Sequence, residues 1–231
     1  MTDPNPLHSP IETRRLILRH LQPTLDADCD LIVRLYNTPE FIDSIGGTPT
    51  SIDTREAARK YIENRFLSEY RRNGYGTYLI LLKPPSAATA APQRPNVGVE
   101  EAEAAPEPVG TVSLTRGDGP DAYLAPDLGF AVLPAYMRQG IATEASRGLL
   151  DYFIGGGAGT ARVTAVLGLL DLRNEASKGV FRGLGFDYRG RRVLQVFGST
   201  MGEVWSWPAG LGEDELRALG LPEAEKENEA E

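Results

Sequence analysis

Asp127-Leu-Gly-Phe-Ala-Val-Leu-Pro-Ala-Tyr-Met-Arg-Gln-Gly-Ile-Ala-Thr-Glu-Ala145 is the stretch that decides the fold. It reads as a strand over Asp127–Leu133, stopped by Pro134, then a tight turn, then a helix opening just after Gly140. Ile141, Ala145, Leu149 and Tyr152 continue that helix on one face, and Gly155-Gly156-Gly157 ends it. Free backbone N–H groups at a helix N-terminus favour an anion, and a glycine lets a phosphate come close to the backbone. A single strand–loop–helix with one glycine is also ordinary packing. The stretch has neither a Walker lysine nor the three glycines of a dinucleotide fingerprint.

Downstream, Asn174-Glu-Ala-Ser-Lys-Gly-Val-Phe-Arg-Gly-Leu-Gly-Phe186 begins 34 residues after Gly140. It reads as a helix with an N-cap at Asn174 and a glycine stop at Gly185. Ala161–Leu167 between the two alternates like a strand. Phe186–Tyr188, Val193–Phe197 and Val204–Trp207 read as late antiparallel strands. Upstream, Leu16–Leu18 is a first strand and Asp28–Tyr36 a helix. A second helix has Asp53 as N-cap and a stripe of Ala58, Ile62, Phe66 and Tyr70, with Asn73-Gly74 as its stop. Gly76–Lys83 and Val109–Thr115 are strands of a hairpin. The order β-α-α-β-β-β-α-β-α-β-β describes a mixed α/β sheet.

Charge and composition sort the rest. The 231 residues carry a formal net charge of −8, which argues against nucleic acid and anionic membranes as partners. That charge is localised. Residues 84–108 hold six prolines and four glutamates against one arginine, and read as a flexible insertion within the hairpin. Residues 212–231 hold eight acidic and two basic side chains, and 208–231 reads as an acidic, unfolded tail. Residues 1–10 read as a flexible N-terminus, leaving 11–207 as a single domain. Cys29 is the sole cysteine, so neither an intramolecular disulfide nor a cysteine metal cluster is expected. His8 and His20 lack partners at ligand spacing, and no metal is expected. Met1–Pro10 shows no basic-then-apolar run, and no apolar stretch approaches a membrane span. A cytoplasmic protein, monomer or homodimer, is the expectation.

Taken together the motifs resemble the GNAT N-acetyltransferase superfamily, in its RimJ/RimL-like branch. The resemblance rests on Thr13-Arg14-Arg15-Leu16-Ile17-Leu18-Arg19, Val109-Gly-Thr-Val-Ser-Leu114, Leu128-Gly-Phe130, Arg138-Gln-Gly-Ile-Ala-Thr-Glu-Ala145, and Asn174-x-Ala-Ser177 leading to Leu184-Gly-Phe186, in the family's order. It implies a mostly antiparallel sheet with flanking helices and one splayed pair of parallel strands, opened by a bulge between Gly129 and Pro134. It implies acetyl-CoA as cosubstrate, and a primary amine (protein N-terminus or small amine) as acceptor in a ternary complex. The backbone of Phe130, Ala131, Val132 and Leu133 would pair with the pantetheine, and the Val132 N–H would face the developing oxyanion. The amides of Arg138, Gln139, Gly140, Ile141, Ala142 and Thr143 would cradle the pyrophosphate, with Asn174 on the pantetheine and Ser177 near the sulfur. Arg138, Arg173, Lys178 and Arg182 are candidates for the 3′-phosphate. Met137 stands where the family commonly has Gln or Arg. Phe181 stands, beside the cofactor, where many members place a tyrosine acid, and Phe has no proton to give. Ser177, water, or no acid at all then serves. Asp127 is the first choice of general base and Glu144 the second. The competing readings are a non-catalytic CoA-binding module and an adaptor that captures a basic partner.

Overall fold

Among the described residues eight strands hydrogen-bond into one sheet, in the order β1-β2-β3-β4-β5-β6-β8-β7. The computed structural model describes residues 10–85, 104–154 and 163–225. The strands are β1 (Ile11–Glu12), β2 (Leu16–His20), β3 (Thr77–Leu82), β4 (Glu107–Thr115), β5 (Asp127–Val132), β6 (Val166–Asp171), β7 (Asp187–Leu194) and β8 (Thr200–Trp207). Every neighbouring pair is antiparallel except β5 and β6. This is the mixed, mostly antiparallel α/β architecture expected from the sequence.

The helices are α1 (Asp26–Tyr36), α2 (Pro39–Ser44), α3 (Arg55–Tyr61), α4 (Leu67–Asn73), α5 (Ile141–Ile154), α6 (Glu175–Leu184) and α7 (Glu213–Ala218). One face of the sheet packs against α5 and α6, with Leu128, Val132, Ile141, Ala145, Leu149 and Phe181 in its core. On the other face, Leu79 and Leu81 meet Leu31, Ile32 and Leu35 of α1 and Ala58 of α3. A third core gathers Tyr123, Ala125, Leu167, Leu169, Leu194 and Val204 beneath Leu216 and Leu221.

The second helix of the sequence reading is α3 and α4 joined by a π-helical turn over Ile62–Phe66. Its stripe explains the insertion. Residues four apart overshoot one α-helical turn by about 40°, so a strict i, i+4 series drifts around an α-helix. The wider π turn takes up that drift, and Ala58, Ile62, Phe66 and Tyr70 are all buried. Its N-cap is Thr54, whose side chain accepts from the Ala57 N–H, and not Asp53.

Other boundaries also move. Residues 161 and 162 of the expected strand lie outside the described residues; β6 runs Val166–Asp171, and its first five residues are all buried and so do not alternate. The two short late strands are one strand, β7, irregular between Tyr188 and Arg191, where Gly190 has φ +83°. The expected bulge in β5 is not there: β5 keeps register with β4 from Leu128↔Leu114 to Val132↔Gly110. The irregularity lies in the neighbouring β3–β4 ladder, between Ile80 and Leu81 of β3. Residues 212–225 are not an unfolded tail, since α7 and the segment after it bury Leu216 and Leu221. Most of the insertion over 84–108, the N-terminal residues 1–9 and the Gly155–Gly157 stop lie outside the described residues.

Candidate active site

β5 and β6 run parallel but share one register pair among the described residues, Asp127↔Leu167. The Leu167 N–H donates to the Pro126 carbonyl at 2.8 Å, and beyond that point the strands part. The Leu133 N–H donates to the Val109 carbonyl at 2.9 Å, which makes odd-numbered β5 residues the ones hydrogen-bonded to β4. Antiparallel alternation then turns the backbone N–H and C=O of Phe130 and Val132 the other way, into the gap. A sheet holding two such residues beside an open space offers an extended, amide-bearing molecule a vacant strand position.

The loop after β5 supplies the second part. Pro134–Tyr136 form a 3-10 turn, and Arg138 and Gly140 both adopt left-handed backbone, φ +59° and +74°. For arginine that conformation costs of order 1 kcal/mol, a strain found mainly where a loop is held for a purpose. α5 follows with 14 residues, so the N–H groups of its first turn lack intrahelical acceptors at the positive end of its dipole. A cavity of about 530 Å³ joins these elements. It is lined by Phe130, Ala131 and Val132 from β5, by Met137, Arg138 and Gly140–Thr143 from the loop and α5, and by Asn174, Ala176, Ser177 and Val180 from α6. Its remaining wall comes from Leu35, Thr38, Glu40, Phe41, Ser44 and Tyr136.

Of the expected cofactor residues, Phe130, Ala131, Val132, Arg138, Gly140, Ile141, Ala142, Thr143, Asn174 and Ser177 line this one space. Leu133 is buried against the α1 side, and Gln139 is exposed with its carbonyl turned to Arg15. Phe181 does not reach the cavity. It is 0% exposed, and its ring lies 5.7 Å from that of Phe130, with Phe186 and Trp205 behind it. Gly168 leaves it room, since a Cβ there would sit 2.4 Å from the ring. The Asn174 side-chain oxygen accepts from the Ser177 N–H at 3.1 Å, capping α6 beside the cavity.

The two candidate bases part company. Asp127 stands where β5 and β6 separate, outside the lining of the cavity, and its Oδ1 accepts from the Leu169 N–H at 3.0 Å. Desolvation pushes its carboxyl up to about 8, against the lowering effect of that N–H. Glu144 is committed elsewhere. It accepts from Thr13 Oγ1 at 2.7 Å, the Arg15 N–H at 2.7 Å and Arg15 Nε at 2.6 Å. Partial burial works to raise its carboxyl, but these bonds outweigh it and hold the group below the usual range. A carboxylate with that many donors is a poor proton acceptor.

The basic candidates are similarly sorted. Lys178 is buried between Glu203 (2.9 Å) and Glu175 (2.8 Å), tying α6 to β8. Arg173 pairs with Asp171 at 2.9 Å, and Arg182 lies over the Trp205 ring. Of the four, Arg138 is the one on the cavity wall. The sequence reading missed α2, whose Thr38, Glu40, Phe41 and Ser44 form the outer wall. The signal was present as a Thr38 N-cap followed by Pro39 at the first helical position. Among the described residues no His, Cys, Asp and Glu group is arranged to hold a metal ion, and no helix is long and apolar enough to cross a membrane.

Residues 15–187 match the acetyltransferase (GNAT) domain family. The chain belongs to the GNAT acetyltransferase family. It is therefore an acyltransferase by family, and the sequence resemblance holds. No curated protein matches it in sequence. Solved structures share the GNAT fold at low identity. A RimL ribosomal L7/L12 α-N-protein acetyltransferase in complex with coenzyme A is 17% identical, with a TM-score of 0.62 over 86% of this chain and 97% of that one. The microcin C7 self-immunity acetyltransferase MccE, in complex with acetyl-CoA and AMP, is 15% identical, with a TM-score of 0.60 over 84% and 92%. The ribosomal-protein-S5-alanine acetyltransferase of Vibrio fischeri is 16% identical, with a TM-score of 0.58 over 86% and 96%.

Proposed function

We propose that this GNAT protein transfers the acetyl group of acetyl-CoA directly to a primary amine, within a ternary complex assembled at the β5–β6 gap. The observation that carries the reading is the parting of β5 from β6 after one register pair, which leaves the Phe130 and Val132 backbone facing a cavity that ends on the 138–143 loop. The residues present fit such a cosubstrate. Left-handed backbone at Arg138 and Gly140 and the free amides of α5 suit a pyrophosphate, and the open strand edge suits the amide-bearing pantetheine. Bound there, acetyl-CoA supplies an activated acyl group.

The chain's own residues do the rest. Val132 N–H stands to hold negative charge on the acyl oxygen, and Ser177 presents its hydroxyl toward the departing sulfur. Asp127 takes a proton from the incoming amine, directly or through a water. An α-amine of pKa ~8 costs about 1.4 kcal/mol to deprotonate at pH 7. A lysine-type amine of pKa ~10.4 costs roughly 4.6 kcal/mol. The lower cost favours an α-amine, a peptide N-terminus or a small molecule of similar basicity, over a lysine side chain. The acidic α2 wall at Glu40 suits an acceptor that arrives as a cation.

Release of CoA thiol from acetyl-CoA, followed over a panel of peptide N-termini, small α-amines and lysine-type amines, tests the reading. Amine-dependent release, fastest with α-amines, is the expected result. Tight acetyl-CoA binding with no turnover on any amine would favour a binding module.

A further inference from the structure

Arg15 stands in the opening motif, far in sequence from the cavity, yet its side chain reaches the 138–143 loop. Its Nε donates to Glu144 Oε2 at 2.6 Å and its Nη1 to the Gln139 carbonyl at 3.1 Å. Glu144 Oε1 accepts from the Arg15 backbone N–H and from Thr13 Oγ1, each at 2.7 Å. The guanidinium is thus held on one edge by a carboxylate and spends the other on a backbone carbonyl of the loop. A planar trans peptide points its C=O and N–H in opposite directions. Drawing the Gln139 carbonyl toward Arg15 therefore turns the Gly140 N–H away from Arg15, at a residue that lines the cavity. Glycine is also the residue at which a peptide plane swings most freely, so this orientation needs a hold.

We infer that Arg15 is a positioning residue for the acetyl donor: through the Gln139 carbonyl it aims the Gly140 amide at the donor's anionic portion, and Glu144 serves to orient Arg15. The inference rests on the acetyl-CoA reading above. It assigns work to two residues whose network is built from the chain's own groups, a form of preorganisation for the donor.

The test compares acetyl-CoA with S-acetyl-N-acetylcysteamine, an acetyl donor without phosphates, on wild type, Arg15→Ala, Arg15→Lys and Glu144→Gln. Arg15→Ala is expected to weaken CoA binding by calorimetry about tenfold, the worth of a hydrogen bond from a charged donor. The KM for acetyl-CoA rises by a similar factor with little change in kcat. The ratio of kcat/KM for acetyl-CoA to that for the truncated donor falls about tenfold. Arg15→Lys restores only part of the loss, because an ammonium lacks the fork that spans Glu144 and Gln139 together. Glu144→Gln shifts the same KM the same way by less, and it carries the test should Arg15→Ala not fold. An unchanged KM in Arg15→Lys and Glu144→Gln, or an equal loss on both donors, overturns the inference. Failure of the wild type to bind CoA overturns the acetyl-CoA reading itself, and is separately visible.

Discussion

Asp127 is the residue on which chemistry and stability pull in opposite directions. Desolvation keeps its proton on up to about 8, whereas an exposed aspartate loses it near ~3.9. From about pH 4 to pH 8 the unfolded chain releases that proton and the folded chain keeps it, so this group lowers stability as pH rises. Asp127→Asn keeps an acceptor for the Leu169 N–H and removes the titration. Its stability relative to wild type is expected to climb between about pH 4 and pH 8, reaching at least ~2 kcal/mol, and then to level off. Its kcat/KM at pH 8 is expected to fall about a hundredfold, losing the rise with pH that a base near 8 gives the wild type. Parallel urea titrations and pH–rate profiles check both; a variant that keeps the wild-type profile removes Asp127 as the base. Glu144, by contrast, accepts from Thr13 and Arg15 in bonds that favour its charged form, which makes it a weaker base.

At the scale of elements, what the sequence made legible follows from how each element hides its apolar surface. α5 buries Ile141, Ala145, Leu149 and Phe153 on one face, so its spacing announces it. α6 is bracketed by an Asn174 cap and the left-handed Gly185, both local signals. α2 buries no residue, so no apolar stripe exists to find, and only its cap marks it. β6 was misplaced because a strand covered on both faces has no alternation to read. The loop over 138–143 was recognisable from its residues, but its link to Arg15 is a long-range contact that local patterns do not carry. The same holds for Phe181, which the motif places beside the cofactor and packing places beneath Phe130. Asp127 was found for its place at a strand end, yet the hydrogen bond to Leu169 that fixes it belongs to a partner strand 42 residues away.

Across the whole molecule, the net charge of −8 is partly engaged within the structure. Arg192, 1% exposed, donates to Glu213 at 2.8 Å and to the Pro222 carbonyl, and Glu215 accepts from the Gly212 N–H at 2.7 Å. Arg217 pairs with Asp214 and Glu223, both at 3.0 Å. These contacts seat Leu216 over Leu167 and Leu169, so the C-terminal segment backs the strand that parts from β5. Acidic composition concealed this, because two buried leucines are enough to dock a short helix when a buried arginine anchors it. Leu216→Ala is expected to cost about 2–4 kcal/mol in urea unfolding; a cost below about 0.5 kcal/mol would mean that the third core does not contribute. Residue-resolved amide hydrogen exchange, with and without CoA, tests the central claim most directly. Exchange is expected to slow at the Phe130 and Val132 amides facing the gap and at the amides of Gly140 to Thr143. Unchanged exchange at these positions under saturating CoA, or protection confined to another part of the sheet, would contradict it.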